Sequence, residues 1–377
     1  MELSPIDIES FARELDDIHA KELHRINETD VNHMKRVDVM TRVLFVIGVI
    51  GSIWFINPIA AFLISLAKTA RWTIIAHHVS HRGLDRIEGI PNRYSSVHFA
   101  KGIRRWIDWM DWIYPPAWNL EHNVLHHYHT NEHEDPDFVQ RNTSTLRNLN
   151  LPAWIKYLIV IFLAAHWKIS YYAPNTFWYY YQKKNTDLKH GKRFDISGES
   201  FPGSQIYSPF NMIGWQYWKL CLLPYFTANF VLLPLLVLPF GWEYALILGV
   251  NLVIAEIFTN WHTFLIIVTN HAGDDLPYFG ERTKTKPEFY LRQVIASVNF
   301  TSPNRWSDFF MGYLNYQIEH HLWPDLPPKS YRRLQPEVEA ICKKYNVPYK
   351  KESLFTRVGM LLDLIIGKTQ MQIIQTR

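Results

Sequence analysis

Histidine is concentrated in three short stretches of this sequence: HHVSH at His77–His81, HNVLHH at His122–His127 and QIEHH at Gln317–His321. The middle one lies in the densest run, NLEHNVLHHYHTNEHEDPDF, from Asn119 to Phe138. His77 and His81 are four apart, as are His122 and His126, so each pair points to one face of a helix. Gln317, His320 and His321 share a face by the same rule. His78 points away from His77 and His81, although the doubled HH leaves the choice between His77 and His78 open. Neutral imidazole is the commonest protein metal ligand. Adding His271, in TNHAGDD, gives eight imidazoles that can converge: His77, His81, His122, His126, His127, His271, His320 and His321. Eight are too many for one ion and suit two. Imidazole accepts zinc, copper, iron and nickel alike, so the ligand type does not choose the metal. His129 and His133 fall outside the spacing and are expected beside the site or on the surface. Glu121, Asp135, Asp137, Asp274 and Glu319 are candidates to orient the rings.

Two hydrophobic hairpins are placed to carry these stretches. The first is expected over about 40–77, with helices over 40–56 and 59–77 turning at Asn57-Pro58. At 1.5 Å per residue each reaches roughly 25–29 Å, just enough for a hydrocarbon core. The second covers about 220–269, with Pro224 and Pro234 inside its first arm and Pro239 and Gly241 at its turn. Lys35, Arg36, Arg42, Lys68, Arg71 and Arg82 flank the first hairpin, which puts both of its ends in the cytoplasm. His271 leaves the second hairpin on the same side. Glu256, at membrane depth, is expected to face the bundle interior.

The rest of the chain reads more simply. Residues 5–27 form an amphipathic helix, with His19, His24 and His33 as surface residues. Residues 98–118 carry a stripe of Ile103, Trp106, Ile107, Met110 and Ile113, expected as one helix in the membrane interface with Trp109 and Trp112 on its flank. Leu151–Ala165 is apolar but short for a span, so an interfacial or re-entrant helix is expected. Residues 182–210 read as a loop and 353–373 as an apolar tail helix.

Composition agrees with alternating membrane and polar parts. The chain has 377 residues, 48% hydrophobic and 15% aromatic, yet 20% charged, with net charge +4. Its Lys and Arg are dispersed, which speaks against a nucleic-acid surface. Two cysteines, Cys221 and Cys342, provide neither a disulfide framework nor a thiolate metal site. Met1–Asp38 has no apolar core of a signal peptide, so no processing is expected. A lipid chain can reach such a site from the bilayer, and oxidising an unactivated methylene needs iron or copper. The residues alone therefore point to a membrane oxygenase with two metal ions. A zinc-dependent membrane hydrolase and a non-catalytic lipid-binding protein are the rivals from other classes.

The order HxxxH, HxxxHH, QxxHH, set between two hairpins, resembles the membrane fatty acid desaturases. The neighbouring HNVLHH with DPD, NHAGDD and NYQIEHHLWP agree, and the resemblance covers roughly 40–335. It implies an all-α membrane protein whose four transmembrane helices form two hairpins beneath a cytosolic helical cap with two iron ions. The implied reaction is O2-dependent insertion of a cis double bond into an acyl-lipid or acyl-CoA. The eight histidines above become the metal ligands, and Gln317 stands where other members carry a histidine. That substitution resembles front-end and sphingolipid-type desaturases, which carry a fused haem domain. No HPGG haem motif occurs here, so a separate electron donor of cytochrome b5 or ferredoxin type is expected. The organisation implied is an N-terminal helix at 1–39, the catalytic domain at 40–335 and a cytosolic tail at 336–377. The location implied is the endoplasmic reticulum or bacterial inner membrane, with the active site on the cytoplasmic side. A lipid hydroxylase or ketolase on the same scaffold is the alternative.

Overall fold

A computed structural model describes residues 6–189 and 201–374 and is mostly helical. Helix α1 (Ile8–Arg25) is capped by Asp7, whose carboxylate accepts the Ser10 amide at 3.0 Å. It buries Phe11, Leu15 and Ile18 against α8 (Lys286–Ile295) and α10 (Pro328–Lys344), two helices from the other end of the chain. Helix α2 (Glu28–Gly51) starts with a capping box of Asn27 and Asp30. It packs along α3 (Pro58–Ser80). Gly48 permits that approach, because a Cβ there would stand 2.8 Å from the Ala60 carbonyl and 2.7 Å from Ile64.

Three helices are long and apolar enough to cross a membrane: α3, α6 (Met212–Phe240) and α7 (Trp242–Asn270). Helix α4 (Ala153–Ala164) and the helix beginning at Lys168 (α5, Lys168–Lys189) pass the same test only as a pair, bent by 81°. Among the described residues there are thus three candidate spans, or up to four. Helix α2 does not pass the same test, since Lys35, Arg36, Asp38 and Arg42 precede its apolar end, Val43–Gly51. Gly241, with φ of +143°, makes the turn between α6 and α7. Pro224 and Pro234 are each preceded by a π-helical stretch, Trp218–Leu222 and Thr227–Leu232. Such local widening re-pairs the backbone groups that proline frees, so α6 stays continuous. At the far turn of α2 and α3, Asn251 of α7 accepts the Asn57 amide at 2.8 Å and donates to the Ser52 and Phe55 carbonyls. One side chain thereby satisfies a turn that would otherwise strand polar groups.

Two regions differ from the sequence reading. Residues 98–118 are not one helix. Positive φ at Ala100 and Gly102 and a break at Trp109 divide them into turns, and Pro115 starts a new one. Trp109, Trp112 and Ile113 are buried, while Ile103, Trp106 and Ile107 are exposed. The apolar spacing was real, but tertiary packing buries Trp109, Trp112 and Ile113 and leaves the N-terminal part of the stripe at the surface. Helix α5 runs on to Lys189, through the first part of the expected loop; residues 190–200 lie outside the described part.

The C-terminal part frames the centre of the molecule. Helix α11 (Leu354–Ile366) packs on α4. The strand Pro277–Phe279 pairs with Gln372–Ile374, and Asn299–Phe300 with Lys351–Glu352. Arg357 of α11 is fully buried, pairing with Asp275 at 2.8 Å and donating to the Ala272 carbonyl. Helix α10 runs through the expected 335/336 boundary.

Candidate metal centre

The end of α3 carries the first histidine pair. A π-helical turn, Arg71–Ala76, precedes it, and the His77 amide donates to the Trp72 carbonyl five residues back. The central stretch is also π-helical from Asn119 to His126. In an i→i+5 ladder, positions i+4 and i+5 flank the same line as position i. His126 and His127 therefore both align with His122, which a plain α-helix would not allow. Helix α9 (Gln317–Leu322) brings the third stretch. Gly312, with φ of +62°, lets the loop before α9 press on Thr73; a Cβ there would lie 2.2 Å from the Thr73 hydroxyl.

All eight expected imidazoles meet in one buried nest. The ring nitrogens of His77, His81, His122, His127 and His320 lie within 4.8 Å of one another, and those of His126, His271 and His321 form a second such group. His77 Nε2 is 3.0 Å from His320 Nε2 and 3.1 Å from His122 Nε2. Nitrogens at cis positions of one ion, each about 2.1 Å from it, stand about 3 Å apart. His81 Nε2, both nitrogens of His127, His321 Nε2 and the Gln317 Oε1 atom are buried without a hydrogen-bond partner. Buried polar atoms left so cost free energy unless something occupies the space between them. This donor set fits metal ions.

The outer nitrogens are held from behind. His126 Nδ1 donates to Asp135 at 2.9 Å, His271 Nδ1 to the Ala296 carbonyl at 3.2 Å, and His321 Nδ1 pairs with Gln293 Oε1 at 2.9 Å and Thr130 Oγ1 at 3.1 Å. His320 Nδ1 meets the Tyr331 hydroxyl at 3.2 Å. Each contact leaves the Nε2 lone pair facing the nest. Gln317 Nε2 donates to His271 Nε2 at 2.9 Å, which brings the amide into the second group. Burial, aided by the crowd of neighbouring rings, holds His81, His122, His127, His320 and His321 well below the usual histidine range, and His271 down to about 3. Burial pulls His126 the same way, but the Asp135 carboxylate outweighs it and the net shift is upward. The rings so lowered are neutral and ready to bind metal.

His78 is buried but turned away, its Nδ1 on the Ile74 carbonyl at 2.8 Å. His77 and His81 are the converging pair. His129 donates to Glu132, whose other oxygen takes Arg292 and Thr283. Of the five acids expected to orient rings, Asp135 alone hydrogen-bonds to one of the eight. Glu319 pairs with Asn299 and Tyr349, while Glu121 accepts from Tyr172. Asp137 stands within metal-sharing distance of His122 and His126, raised by burial to about 6. Glu256 accepts from Trp112, Tyr225 and Lys68 and does not border the cavity below. His19 and His33 are not plain surface residues: His19 stacks on Trp323 at 5.1 Å, and His33 meets Tyr313 edge-on at 5.5 Å. The sequence reading missed Thr130, Gln293 and Tyr331. Thr130 lies four residues after His126, but nothing in the other two stretches signals contact with histidine.

A cavity of about 500 Å³ opens from the nest. His77, His122, His126, His271 and Gln317 form one part of its wall, and Trp72, Trp118, Leu146, Val160, Leu163 and Phe264 belong to the mainly apolar remainder. Trp118 stacks on His122 at 4.5 Å.

Candidate membrane spans and a buried nest of eight imidazoles define an integral membrane metalloprotein. The chain belongs to the fatty acid desaturase family, whose model matches residues 52–353. It is therefore an oxidoreductase that desaturates fatty acyl chains and draws electrons from a donor. It is 27% identical to an NADPH-dependent stearoyl-CoA 9-desaturase of Mycobacterium tuberculosis, over 95% of this chain and 79% of the relative. It is 25% identical to acyl-lipid (8-3)-desaturase B of Dictyostelium discoideum, over 64% of this chain and 50% of the relative. A 97-residue stretch is 52% identical to a Delta(8)-fatty-acid desaturase of Euglena gracilis, covering 26% of this chain and 22% of the relative.

Proposed function

We propose that this chain inserts a cis double bond into a fatty acyl chain, using O2 and two iron ions held in the histidine nest. The observation that carries this reading is the opening of the nest onto an apolar cavity. His77, His81, His122, His127 and His320 would hold one ion; His126, His271 and His321 would hold the other, with Gln317 beside it directly or through a water. Bound there, the iron pair would supply the oxidising power to take hydrogen from two adjacent methylenes, with O2 as the final acceptor. The chain's residues do the positioning. Asp135 fixes the tautomer of His126, Trp118 braces His122, and the apolar wall holds an acyl chain against the nest and excludes water.

The wider arrangement is also part of this reading. Hairpins at about 40–77 and 220–269 would cross the bilayer as a four-helix stem, with the helical cap on the cytoplasmic side of the endoplasmic reticulum or bacterial inner membrane. The basic residues flanking the first hairpin support that orientation. Residues 1–39 and 336–377 would flank a catalytic domain of 40–335. Electrons would come from a separate cytochrome b5 or ferredoxin-type protein.

Expression in a host with simple lipids, followed by mass spectrometry with double-bond localisation, tests the reaction. The expected product is two hydrogens lighter than its precursor, and His126→Ala abolishes it. A gain of oxygen would replace this reading with a hydroxylase or ketolase. Zinc in place of iron in the purified active protein would overturn it.

A further inference from the structure

The acyl group in this reading can arrive on a water-soluble carrier or on a lipid already in the bilayer, and the mouth of the cavity separates the two. Most cavity-lining residues on α4 and α11 are sealed in: Val160, Ala164 and Ile365 are 3–5% exposed. Leu149 and Leu163 also line the cavity yet are 43% and 44% exposed. With the exposed lining residues Asn142 and Thr145, they mark where the cavity reaches the surface. From there along α4 the surface is apolar, with Leu151, Trp154, Leu158, Ile161 and Phe162 all exposed. An apolar patch of this kind faces lipid rather than water.

The mouth adjoins a candidate span. Trp261 of α7 donates its indole N–H to the Ile161 carbonyl of α4 at 3.1 Å. The exposed residues Leu246, Val250 and Val253 continue along α7 on the way to Trp261. The charges complete the argument. Residues 139–164, which build the mouth, contain no Asp or Glu and three cations, Arg141, Arg147 and Lys156. All three already donate to backbone carbonyls. Arg141 binds those of His133 and Asp135, Arg147 those of Leu364 and Thr369, and Lys156 those of Arg147 and Ile366. A coenzyme A thioester would bring its phosphates to this mouth and find each of these cations engaged.

We propose that the substrate is an acyl chain esterified to a membrane lipid, which enters sideways from the bilayer between Leu149 and Leu163. This rests on the reading of the cavity as the acyl site. The test uses the metal-loaded full chain in phosphatidylcholine vesicles. A phosphatidylcholine with a photoreactive group in its acyl chain should label the peptides containing Leu149 and Leu163. Leu163→Trp should cut that labelling at least tenfold without changing metal content. In the wild type, supplied with reductant and O2, new double bonds should appear in the phosphatidylcholine pool and not in acyl-CoA added to the buffer. Absence of label at these peptides, or double bonds confined to acyl-CoA, would overturn the proposal. Labelling with no double bond in either pool would uphold the entry route and overturn the desaturation reading instead.

Discussion

At the residue scale, control of the nest extends to groups that never touch an ion. Asp135 holds the outer nitrogen of His126 and is itself fixed by the backbone amides of Asn131 and Asp137. Replacing a carboxylate behind a ligating histidine typically costs ten- to a hundredfold in metal affinity. We expect that loss for Asp135→Asn, measured by competition with a chelator. Glu319→Gln is the matched control. Glu319 is just as buried and is pushed up to about 7 by that burial, but its partners are Asn299 and Tyr349, so metal affinity should stay within about twofold. Equal losses in the two variants would mean that Asp135 acts through folding alone. The eight imidazoles were legible from residue type and spacing, because metal binding demands one donor type in a tight register. Asp135 was legible by its nearness in sequence. Gln293 and Tyr331 were not, since they reach His321 and His320 from α8 and α10, which only tertiary packing brings against α9.

At the scale of elements, the histidine spacing was read on α-helical geometry, and the middle stretch is realised on a π-helical turn. The widened ladder is invisible in composition, yet it brings His127 into line with His122 and His126. The two proline-bearing stretches of α6 were legible as a span, and their π turns were not. Residues 98–118 misled because an apolar stripe and a buried indole cluster look alike until something packs on one of them. Helix α2 offers a test of element docking. His33 sits against Tyr313, in the loop that leads to α9, and burial beside Lys329, Arg36 and Arg305 lowers it to about 4. The unfolded chain protonates this ring near 6.5, and the folded one only near 4. The unfolded state therefore binds the extra proton between those values, and stability falls as pH drops from about 6.5 towards 4. Thermal melts of the wild type and His33→Gln should diverge in that window, with the variant losing less on acidification. Parallel curves would mean that His33 is solvated.

At the scale of the whole molecule, the nest ties together the end of α3, the central stretch, the end of α7 and helix α9. Removing metal should loosen all four at once. A site occupied at a hundred times its dissociation constant stabilises a fold by about 2.7 kcal/mol. For two sites, chelation should lower the melting temperature by roughly 7 °C. An unchanged melt would mean that the rings hold their places without metal.

The spread of the ligands along the chain also sets an order of events in the cell. His81 and His320 are neighbours in the finished protein, with ring centroids 5.0 Å apart, yet one lies early and the other late in the chain. At about 5–20 residues per second, roughly 10–50 s of synthesis separates them. An ion captured during that interval meets the first and middle stretches and at most His271, without the donors of the third stretch. Metal loading is then a step that follows translation, and a cell short of the metal would accumulate finished chains still waiting for it.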